Sequence, residues 1–396
     1  MTRIGADFLL HPGLQRLLSL LEANGHQAYI VGGAVRNALL GEPVADVDLA
    51  TSATPDQVIE LTAAARLRSI PTGIKFGTVT VITEDDGAKT GFEVTTLRQD
   101  TETDGRHAVV AYSDDILEDA KRRDFTMNAL YALKDGTVID PVGGLPDALA
   151  RRLRFVGEPQ ARIREDYLRI LRFFRFHAWY GRPGLADPDA LAAITALVPG
   201  MTRLSKERIG AEMQKLLLAP APRDAVRLMG ETGTLAEVLP GAQVGGLLAL
   251  LDAAHAEVAD GKPDWLVRLA ALGADDPQTA LRLSRHDAAA LQAIREARDW
   301  SLPQAAYKFG ETTARRLALL RIAKGETLPD GWALSIRDAA GQVMPVTARD
   351  LMPGISGPDL GHALRAAEEK WMSGGFRDSK DQLIEVARKA VPGPNA

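Results

Sequence analysis

The order of hydrophobic and polar residues predicts short strands between helices over the first 150 positions. Alternating or compact apolar runs, rich in β-branched residues, are expected as strands at 29–31, 74–83, 92–97 and 137–140. Two glycines connect the first of these strands to a helix expected over 34–40, which ends at Gly41. This part of the chain therefore combines a sheet with helices.

Helical periodicity replaces the strand pattern after residue 151. Helices are expected at 162–179, 206–218, 223–232, 245–259, 264–272, 287–299, 311–324, 360–372 and 381–390. Stretches that contain Gly or Pro, such as 219–222 and 327–331, separate several of them. The predicted fold class is α+β, with an N-terminal mixed sheet and helices followed by an all-α remainder.

Gly32 and Gly33 form the turn between the strand at 29–31 and the helix that follows. Glycine lets the backbone turn tightly and approach a ligand closely. The N-terminus of a helix offers free N–H groups and a positive dipole end, which suits a phosphate group. A glycine pair alone is usually only a turn, so this signal needs support from its surroundings.

Asp46 and Asp48 provide that support, because they lie two residues apart in an apolar run. If the run is a strand, both carboxylates point to one face. Adjacent carboxylates repel each other unless a cation joins them, and Mg²⁺ prefers a few carboxylates together with substrate phosphates. The glycine turn and the acidic pair together indicate chemistry on a nucleoside triphosphate.

The composition is that of a folded protein: of 396 residues, 46% are hydrophobic and 25% are charged. The chain has no cysteine, which excludes disulfides and thiolate metal sites and favours a reducing, cytoplasmic location. No run of about 18 apolar residues occurs, so no membrane span is expected. Nothing indicates an obligatory protein partner.

The net charge of −5 disfavours a nucleic-acid partner, but the charge is unevenly distributed. Residues 151–182 contain nine arginines and three acids, a local charge of +6. A basic stripe of this kind is enough to hold a phosphate backbone, even on an acidic protein.

Several strings occur in the order of the motifs of one known family. The first motif is GGAVRNALLG from Gly32 together with DVD from Asp46, and the second is RRDFTMNA from Arg122. The third is DPVGG from Asp140, the fourth is EDYLR from Glu165 and the fifth is SKERI from Ser205. Together they resemble the family of class II CCA-adding tRNA nucleotidyltransferases and bacterial poly(A) polymerases. Two positions depart from its pattern: Asn37 stands where an Asp is usual, and Phe76 stands where the CCA enzymes usually have His.

The resemblance implies a nucleotidyltransferase head domain at 1–150, a helical neck at 151–220, a helical body at 221–340 and a helical tail at 341–396 that binds tRNA. It implies Mg²⁺ on Asp46 and Asp48. The residues it assigns to nucleotide binding are Gly32, Gly33, Arg36, Arg122, Arg123, Asp124, Asn128, Asp166, Arg169 and Arg172.

Two further features of the head keep alternatives open. Glu93 is either a third carboxylate near the metal or a strand-face acid paired with an arginine. The polar stretch 98–115, with Asp104, Gly105 and Arg106 at its centre, is expected as a mobile loop. In CCA-adding members of the family a loop here assists the switch from C to A addition, so its presence favours full CCA addition.

Asp166 and Arg169 are spaced i, i+3, which would put them on one face of the helix expected over 162–179. They are either a helical salt bridge or, as the resemblance implies, an amino-acid template for the incoming base. Cytosine and adenine both present a donor beside an acceptor, whereas uracil and guanine present the reverse order. A carboxylate beside a guanidinium therefore matches C and A and rejects U and G.

The expected activity is template-independent addition of C, C and A to the tRNA 3′ end from CTP and ATP, with release of pyrophosphate. Poly(A) polymerase shares the motifs and is the first alternative, although the chain is acidic and has no basic C-terminal extension. A non-catalytic RNA-binding protein with the same fold is the alternative from another class, and the intact acidic pair argues against it.

Overall fold

The computed structural model describes residues 2–103, 108–253, 258–259 and 262–391. Contacts within the chain divide it into two compact units, Met1–Pro240 and Gly241–Ala396. The first unit combines a sheet with helices, and the second is almost entirely helical. This confirms the predicted α+β class, while the finer division into head, neck, body and tail stays a prediction.

Seven strands of the first unit form one mixed sheet in the order β3-β4-β5-β2-β1-β8-β9. The strands of this unit are β1 (Ala28–Val31), β2 (Asp48–Thr51), β3 (Arg68–Gly73), β4 (Thr78–Asp85), β5 (Ala88–Thr96), β6 (Arg98–Thr103), β7 (Ala108–Tyr112), β8 (Tyr131–Ala132) and β9 (Val138–Ile139). Strands β2 and β5 are parallel, and β1 is antiparallel to β2. The central strands therefore bring Gly32 at the end of β1 next to Asp48 at the start of β2.

The helices of the first unit are α1 (Pro12–Ala23), α2 (Gly33–Leu40), α3 (Pro55–Ala64), α4 (Ile116–Arg122), α5 (Leu145–Leu149), α6 (Pro159–Glu165), α7 (Leu168–Tyr180), α8 (Pro188–Leu197), α9 (Lys206–Leu217), α10 (Arg223–Glu231) and α11 (Thr234–Val238). Short 3₁₀ helices lie at Asp7–Leu10, Ile74–Phe76, Thr126–Asn128 and Val198–Arg203. Helix α2 ends at Gly41 in the left-handed conformation (φ 68°), as the sequence predicts.

The two faces of the sheet differ in chemistry. Val79, Val81 and Val94 are buried on the face against which α1 and α3 pack. The alternate positions, which include Thr80 and Glu93, lie on the opposite face because successive side chains of a strand point to opposite sides. This second face, which we call the open face, carries the acidic residues of the site.

The stretch predicted as a mobile loop contains two paired strands, β6 and β7, with Arg98 opposite Tyr112. The loop prediction was wrong there because the apolar run 108–112 is short and lies between polar residues. Asp104, Gly105 and Arg106 lie outside the described residues. The strand predicted at 74–83 begins later, since Ile74–Phe76 form a 3₁₀ turn before β4.

A single helix over 162–179 was also a wrong prediction. Helix α6 ends at Glu165, Asp166 is extended (φ −152°, ψ 107°), and α7 begins at Leu168. One Asp166 carboxylate oxygen accepts a hydrogen bond from the Leu168 N–H at 3.0 Å. Aspartate competes for backbone donors in this way, which favours helix ends over helix interiors.

The second unit contains α12 (Val244–Ala253), α13 (Trp265–Leu272), α14 (Pro277–Ala280), α15 (Arg285–Glu296), α16 (Leu302–Phe309), α17 (Glu311–Ala323), α18 (Trp332–Ala340), α19 (Ala348–Leu351), α20 (Gly357–Ser373) and α21 (Lys380–Lys389), with a short strand pair, β10 (Val258–Ala259) and β11 (Lys262–Pro263). Trp371 is buried in a cluster with Leu383 and packs edge-on against Tyr307. Within the described part of the chain, no helix has the length and apolar character needed to cross a membrane.

Candidate active site

The glycine turn between β1 and α2 has the geometry that the sequence predicts for a phosphate site. Gly32 has a positive φ of 67° and is the N-cap of α2, a conformation that favours glycine. A Cβ on Gly32 would lie 3.5 Å from Nη1 of Arg123, and one on Gly33 would lie 3.7 Å from Nη2 of Arg36. The turn therefore lies beside two guanidinium groups.

The acidic residues lie at the same end of the sheet. Strand β2 begins at Asp48, so Asp46 precedes the strand rather than sharing it as predicted. Leu49 pairs with Val94 in the parallel ladder, which places Glu93 beside Asp48. Partial burial raises the pKa of Asp48, and the negative charges of Glu93 and Asp46 raise it further. Glu93 and Asp46 are therefore both close enough to Asp48 to repel its carboxylate.

Asp119, at 1% exposure, holds the two arginines of the second motif in place. Its Oδ1 accepts from Arg122 Nη2 at 2.6 Å, and its Oδ2 accepts from Arg123 Nη2 at 3.0 Å. The Tyr131 hydroxyl also donates to Oδ2, at 2.6 Å. Burial alone would raise the pKa of Asp119, but Arg123 and Arg122 hold it below its usual value. Arg123 is thereby fixed next to Gly32.

A second network connects α2 to α7. Arg36 donates to the Asn128 side-chain oxygen, and Asn128 Nδ2 donates to Asp124 Oδ1 at 3.0 Å. Asp124 Oδ2 accepts from Arg172 Nε at 2.8 Å. Burial opposes the charge of Asp124, but Arg172 and Asn128 keep its pKa below the usual value. This network thus links four of the predicted nucleotide-binding residues.

Arg36 is 5% exposed, and its guanidinium lies 3.8 Å from the centroid of the Tyr180 ring. Burial lowers the pKa of Arg36. Its hydrogen bonds go to two amide oxygens, those of Asn128 and Asn37. Asn37, which departs from the family pattern, thus acts as a neutral acceptor for a buried cation and donates to the Pro43 carbonyl at 2.7 Å.

Asp166 and Arg169 do not pair with each other. Asp166 Oδ2 accepts from Arg208 Nη2 of α9 at 2.6 Å. Arg169 Nη1 donates to Glu165 Oε2 at 2.5 Å and to the Arg162 carbonyl at 2.8 Å. The interpretation of Asp166 and Arg169 as a helical salt bridge is therefore wrong, because each group is held by its own partner.

Arg162 is a structural residue that the sequence reasoning missed. It is 9% exposed, and its Nη2 donates to the carbonyls of Arg122 and Arg123 at 2.6 and 2.7 Å. It thereby anchors α6 to the segment that carries the second motif. Its only sequence signal was membership of an arginine-rich stretch, which indicated RNA binding instead.

Most of that arginine-rich stretch is neutralised within the first unit. Seven of its nine arginines form ion pairs with acids, and three of those acids lie outside residues 151–182 and in the head region. The pairs are Arg151–Glu42, Arg152–Asp147, Arg154–Asp147, Arg162–Glu165, Arg169–Glu165, Arg172–Asp124 and Arg175–Glu212. The local charge of +6 therefore overstates the charge available to RNA.

Helix α9 supports α7 from the other side. Besides the bond from Arg208 to Asp166, Glu212 forms an ion pair with Arg175 at 2.6 Å. Ser205 is the N-cap residue of α9. The fifth motif therefore supports the helix that follows Asp166.

Comparisons with known proteins agree with this architecture. A family model described as the poly A polymerase head domain matches residues 28–154, and one described as a probable RNA and SrmB-binding site of polymerase A matches residues 186–244. The mitochondrial CCA tRNA nucleotidyltransferase 1 of Mus musculus is 34% identical over 404 residues, which cover 96% of this chain and 91% of the relative.

A bacterial relative and a solved structure point the same way. The CCA-adding enzyme of Geobacillus thermodenitrificans is 44% identical over 237 residues, 59% of this chain and 56% of the relative. The crystal structure of the Bacillus stearothermophilus CCA-adding enzyme in complex with CTP has a TM-score of 0.74 at 30% identity, and the match covers 95% of this chain and 96% of that one. The chain therefore belongs to the CCA tRNA nucleotidyltransferase family of enzymes.

Proposed function

We propose that this enzyme adds C, C and A to the 3′ end of tRNA, using CTP and ATP and releasing pyrophosphate. The observation that carries this proposal is the convergence of Asp48, Glu93, the Gly32 turn and Arg123 at one end of the sheet. Acidic residues beside phosphate-binding groups are what nucleotidyl transfer requires.

The oxygen of the primer 3′-hydroxyl attacks the α-phosphorus of the bound nucleotide, and a new P–O bond forms. The bond between the α-phosphorus and the oxygen that bridges to the β-phosphate breaks, and pyrophosphate leaves. The N-terminus of α2 and Arg123 bind the triphosphate, because N–H groups and a guanidinium together stabilise phosphate oxygens. Arg122 is held by the same Asp119 carboxylate and extends this positive edge. Arg36 lies beside Gly33, and its buried guanidinium supports the glycine turn.

Nucleotidyltransferases of this family use a divalent metal ion. Among the described residues, no three acidic or histidine side chains are arranged to hold a metal by themselves. The raised pKa of Asp48 nevertheless fits a cation site, since added positive charge would relieve the repulsion from Glu93 and Asp46. Mg²⁺ usually keeps several waters and binds one or two carboxylates with substrate phosphates, so Asp46 and Asp48 would hold it. Glu93, beside Asp48, would add a third carboxylate. When bound, it would neutralise charge that develops on the transferred phosphate.

Asp166 and Arg169 select the base in this proposal. The side chains are 23% and 13% exposed, and each keeps hydrogen-bonding capacity beyond its structural partner. Asp166 accepts from the exocyclic amino group of C or A, and Arg169 donates to the adjacent ring nitrogen. Arg172 lies on the same helix as Arg169 and is fixed by its bond to Asp124.

The decisive experiment offers the enzyme a tRNA that ends before CCA, with each labelled nucleotide in turn. We expect two C residues and one A to be added, and extension to stop there. Continued addition of A would favour poly(A) polymerase, and no addition would favour a non-catalytic RNA-binding protein. A cytoplasmic location stays a prediction from the absent cysteines, since the animal relatives are named as mitochondrial.

A further inference from the structure

The open face of the sheet carries hydroxyl groups beyond Glu93. Thr80 pairs directly with Glu93, so both side chains lie on the same face. The hydroxyls of Thr72 and Thr80 are 2.7 Å apart, and those of Thr78 and Thr95 are 2.9 Å apart. This threonine surface continues the face that holds the carboxylates and adds no charge to it.

Three large apolar side chains are exposed where this surface ends. Ile74, Phe76 and Tyr112 are 44%, 50% and 45% exposed, and we call them the apolar platform. Ile74 and Phe76 belong to the 3₁₀ turn directly before β4. A Cβ on Gly77 would lie 3.1 Å from Cε1 of Tyr112, so the Tyr112 ring packs against the end of that turn.

The apolar platform is close to the reacting groups. Thr78 pairs with Thr95, two residues along β5 from Glu93, which corresponds to roughly 7 Å of strand. The platform begins just before Thr78. The exposed Lys75 lies within the same turn and adds a positive charge.

We propose that the threonine surface and the apolar platform form the track on which the 3′-terminal nucleotides of the RNA primer lie. This inference rests on the proposed function. The last base of the primer is the tRNA's own terminal base before the first addition and C before the later ones, so the track must not depend on base identity. Stacking on an aromatic ring tolerates every base, and hydroxyls bind sugars and phosphates without competing for the metal.

Substitutions at the platform test the track through steady-state kinetics. We expect Phe76→Ala to raise KM for a tRNA that lacks CCA about tenfold, the loss of one stacking contact, with KM for CTP unchanged. Phe76→Tyr keeps an aromatic ring and should restore the wild-type KM for tRNA. The control is Leu10→Ala, which removes an 80% exposed apolar side chain of the first unit and should change neither constant.

A second readout does not depend on turnover. A tRNA that lacks CCA and ends in 2-aminopurine should lose fluorescence when it binds wild-type enzyme, because the base stacks on the platform. Phe76→Ala should reduce that quenching. An unchanged tRNA KM in Phe76→Ala, a Phe76→Tyr variant as impaired as Phe76→Ala, or quenching that Phe76→Ala leaves intact would overturn the track. Failure of the wild-type enzyme to extend tRNA would instead overturn the proposed function.

Discussion

Asp48 is the residue at which the site is most directly tested, because burial and the charges of Glu93 and Asp46 raise its pKa, and a metal ion would counteract both. We expect Asp48→Asn to lower kcat at least about 10³-fold for both C and A addition, since loss of metal positioning costs several kcal/mol of barrier. Binding of CTP should fall much less, because Arg123 and the Gly32 turn remain. The measurement is single-nucleotide extension of tRNA with saturating Mg²⁺.

The control for Asp48→Asn is Glu60→Gln, which changes an exposed acid on α3 and should leave kcat unchanged. An Asp48→Asn enzyme with kcat within tenfold of the wild type would remove Asp48 from the metal site.

The direction of the hydrogen bonds at Asp166 and Arg169 gives the second residue-scale prediction. Exchanging them, Asp166→Arg with Arg169→Asp, reverses the donor and acceptor order presented to the base. The ratio of kcat/KM for CTP to that for UTP should fall about tenfold to a hundredfold. The exchange also creates like-charge neighbours at Arg208 and Glu165, so we expect a lower melting temperature.

The matched control is Arg164→Ala, which removes an exposed arginine of α6 and leaves Asp166 and Arg169 unchanged. It should keep the wild-type ratio of kcat/KM for CTP to that for UTP. If the folded double variant also keeps that ratio, base selection lies elsewhere.

The sequence could identify Asp166 and Arg169 but not what holds them. Arg208, the partner of Asp166, lies 42 residues from it, and such a pairing follows only from the packing of α9. Asn37 was visible as a departure from the family pattern, but its role as a neutral acceptor for Arg36 required the buried geometry.

At the scale of elements, Arg162 connects α6 to the second motif. Arg162→Ala removes its bonds to the carbonyls of Arg122 and Arg123, so Arg123 should lose its fixed position. We expect KM to rise about tenfold for CTP and for ATP alike, the effect of one or two lost charge-assisted hydrogen bonds. Kinetics with each nucleotide measure this.

Arg164→Ala on the same helix is the control, because that side chain bonds only to Gln160 among the contacts described. Its KM for both nucleotides should stay at the wild-type value. An increase for one nucleotide alone in Arg162→Ala would mean that Arg162 contributes to base selection instead.

Asp119 makes the stability of the second motif depend on pH. Its pKa is lowered in the folded state, so its stabilising effect is complete above its ordinary pKa and is lost as the pH falls through the folded value. Asp119→Asn leaves two arginines without their buried partner and should cost about 3–5 kcal/mol of unfolding free energy at pH 7.

Urea unfolding of both proteins between pH 7 and pH 2 measures this effect. The difference in unfolding free energy should stay constant above the ordinary pKa of aspartate and shrink below it, because the unfolded wild type then binds a proton that folded Asp119 does not. A difference that stays constant over this range would contradict the ionised state of Asp119.

Helices and strands were predictable where one local sequence pattern determines the element. The apolar run of β1, the glycines around α2 and the periodicity of α9 were sufficient for their elements. The break between α6 and α7 was not, because the helical periodicity continues through it and only the bond from Asp166 to the Leu168 N–H interrupts the helix.

At the scale of the whole molecule, tRNA binding should depend on phosphate contacts and on the tail. Affinity for tRNA should fall steeply with salt, in proportion to the phosphates neutralised. A chain that ends at Ala340 lacks α19 to α21 and loses the bonds from Tyr307 and Lys308 to Glu368. We expect weaker tRNA binding by this chain and unchanged CTP binding.

Filter binding across a salt series, with thermal melting as the check on folding, measures both effects. An unchanged affinity for tRNA in the truncated enzyme would show that the tail does not bind tRNA.

Charge counted along the sequence was a poor guide at this scale. The stretch 151–182 looked like an RNA surface, yet Glu42 and Asp124 each neutralise one of its arginines from far away in the sequence. Asp147, just before the stretch, neutralises two more. The α+β class was predictable because each pattern covers a long part of the chain. Strands alternate with helices before residue 151, and helices dominate after it.

The break between α6 and α7 separates the anchors of Asp166 and Arg169, the two groups that we propose select the base. Arg169 is tied to α6 through Glu165 and the Arg162 carbonyl, while Asp166 is tied to α9 through Arg208. Two groups on one continuous helix would be spaced by its fixed rise per residue. Here the distance between the Asp166 acceptor and the Arg169 donor depends on how α6 and α9 pack against α7. A change in that packing would therefore widen or narrow the space in which the base is held between them.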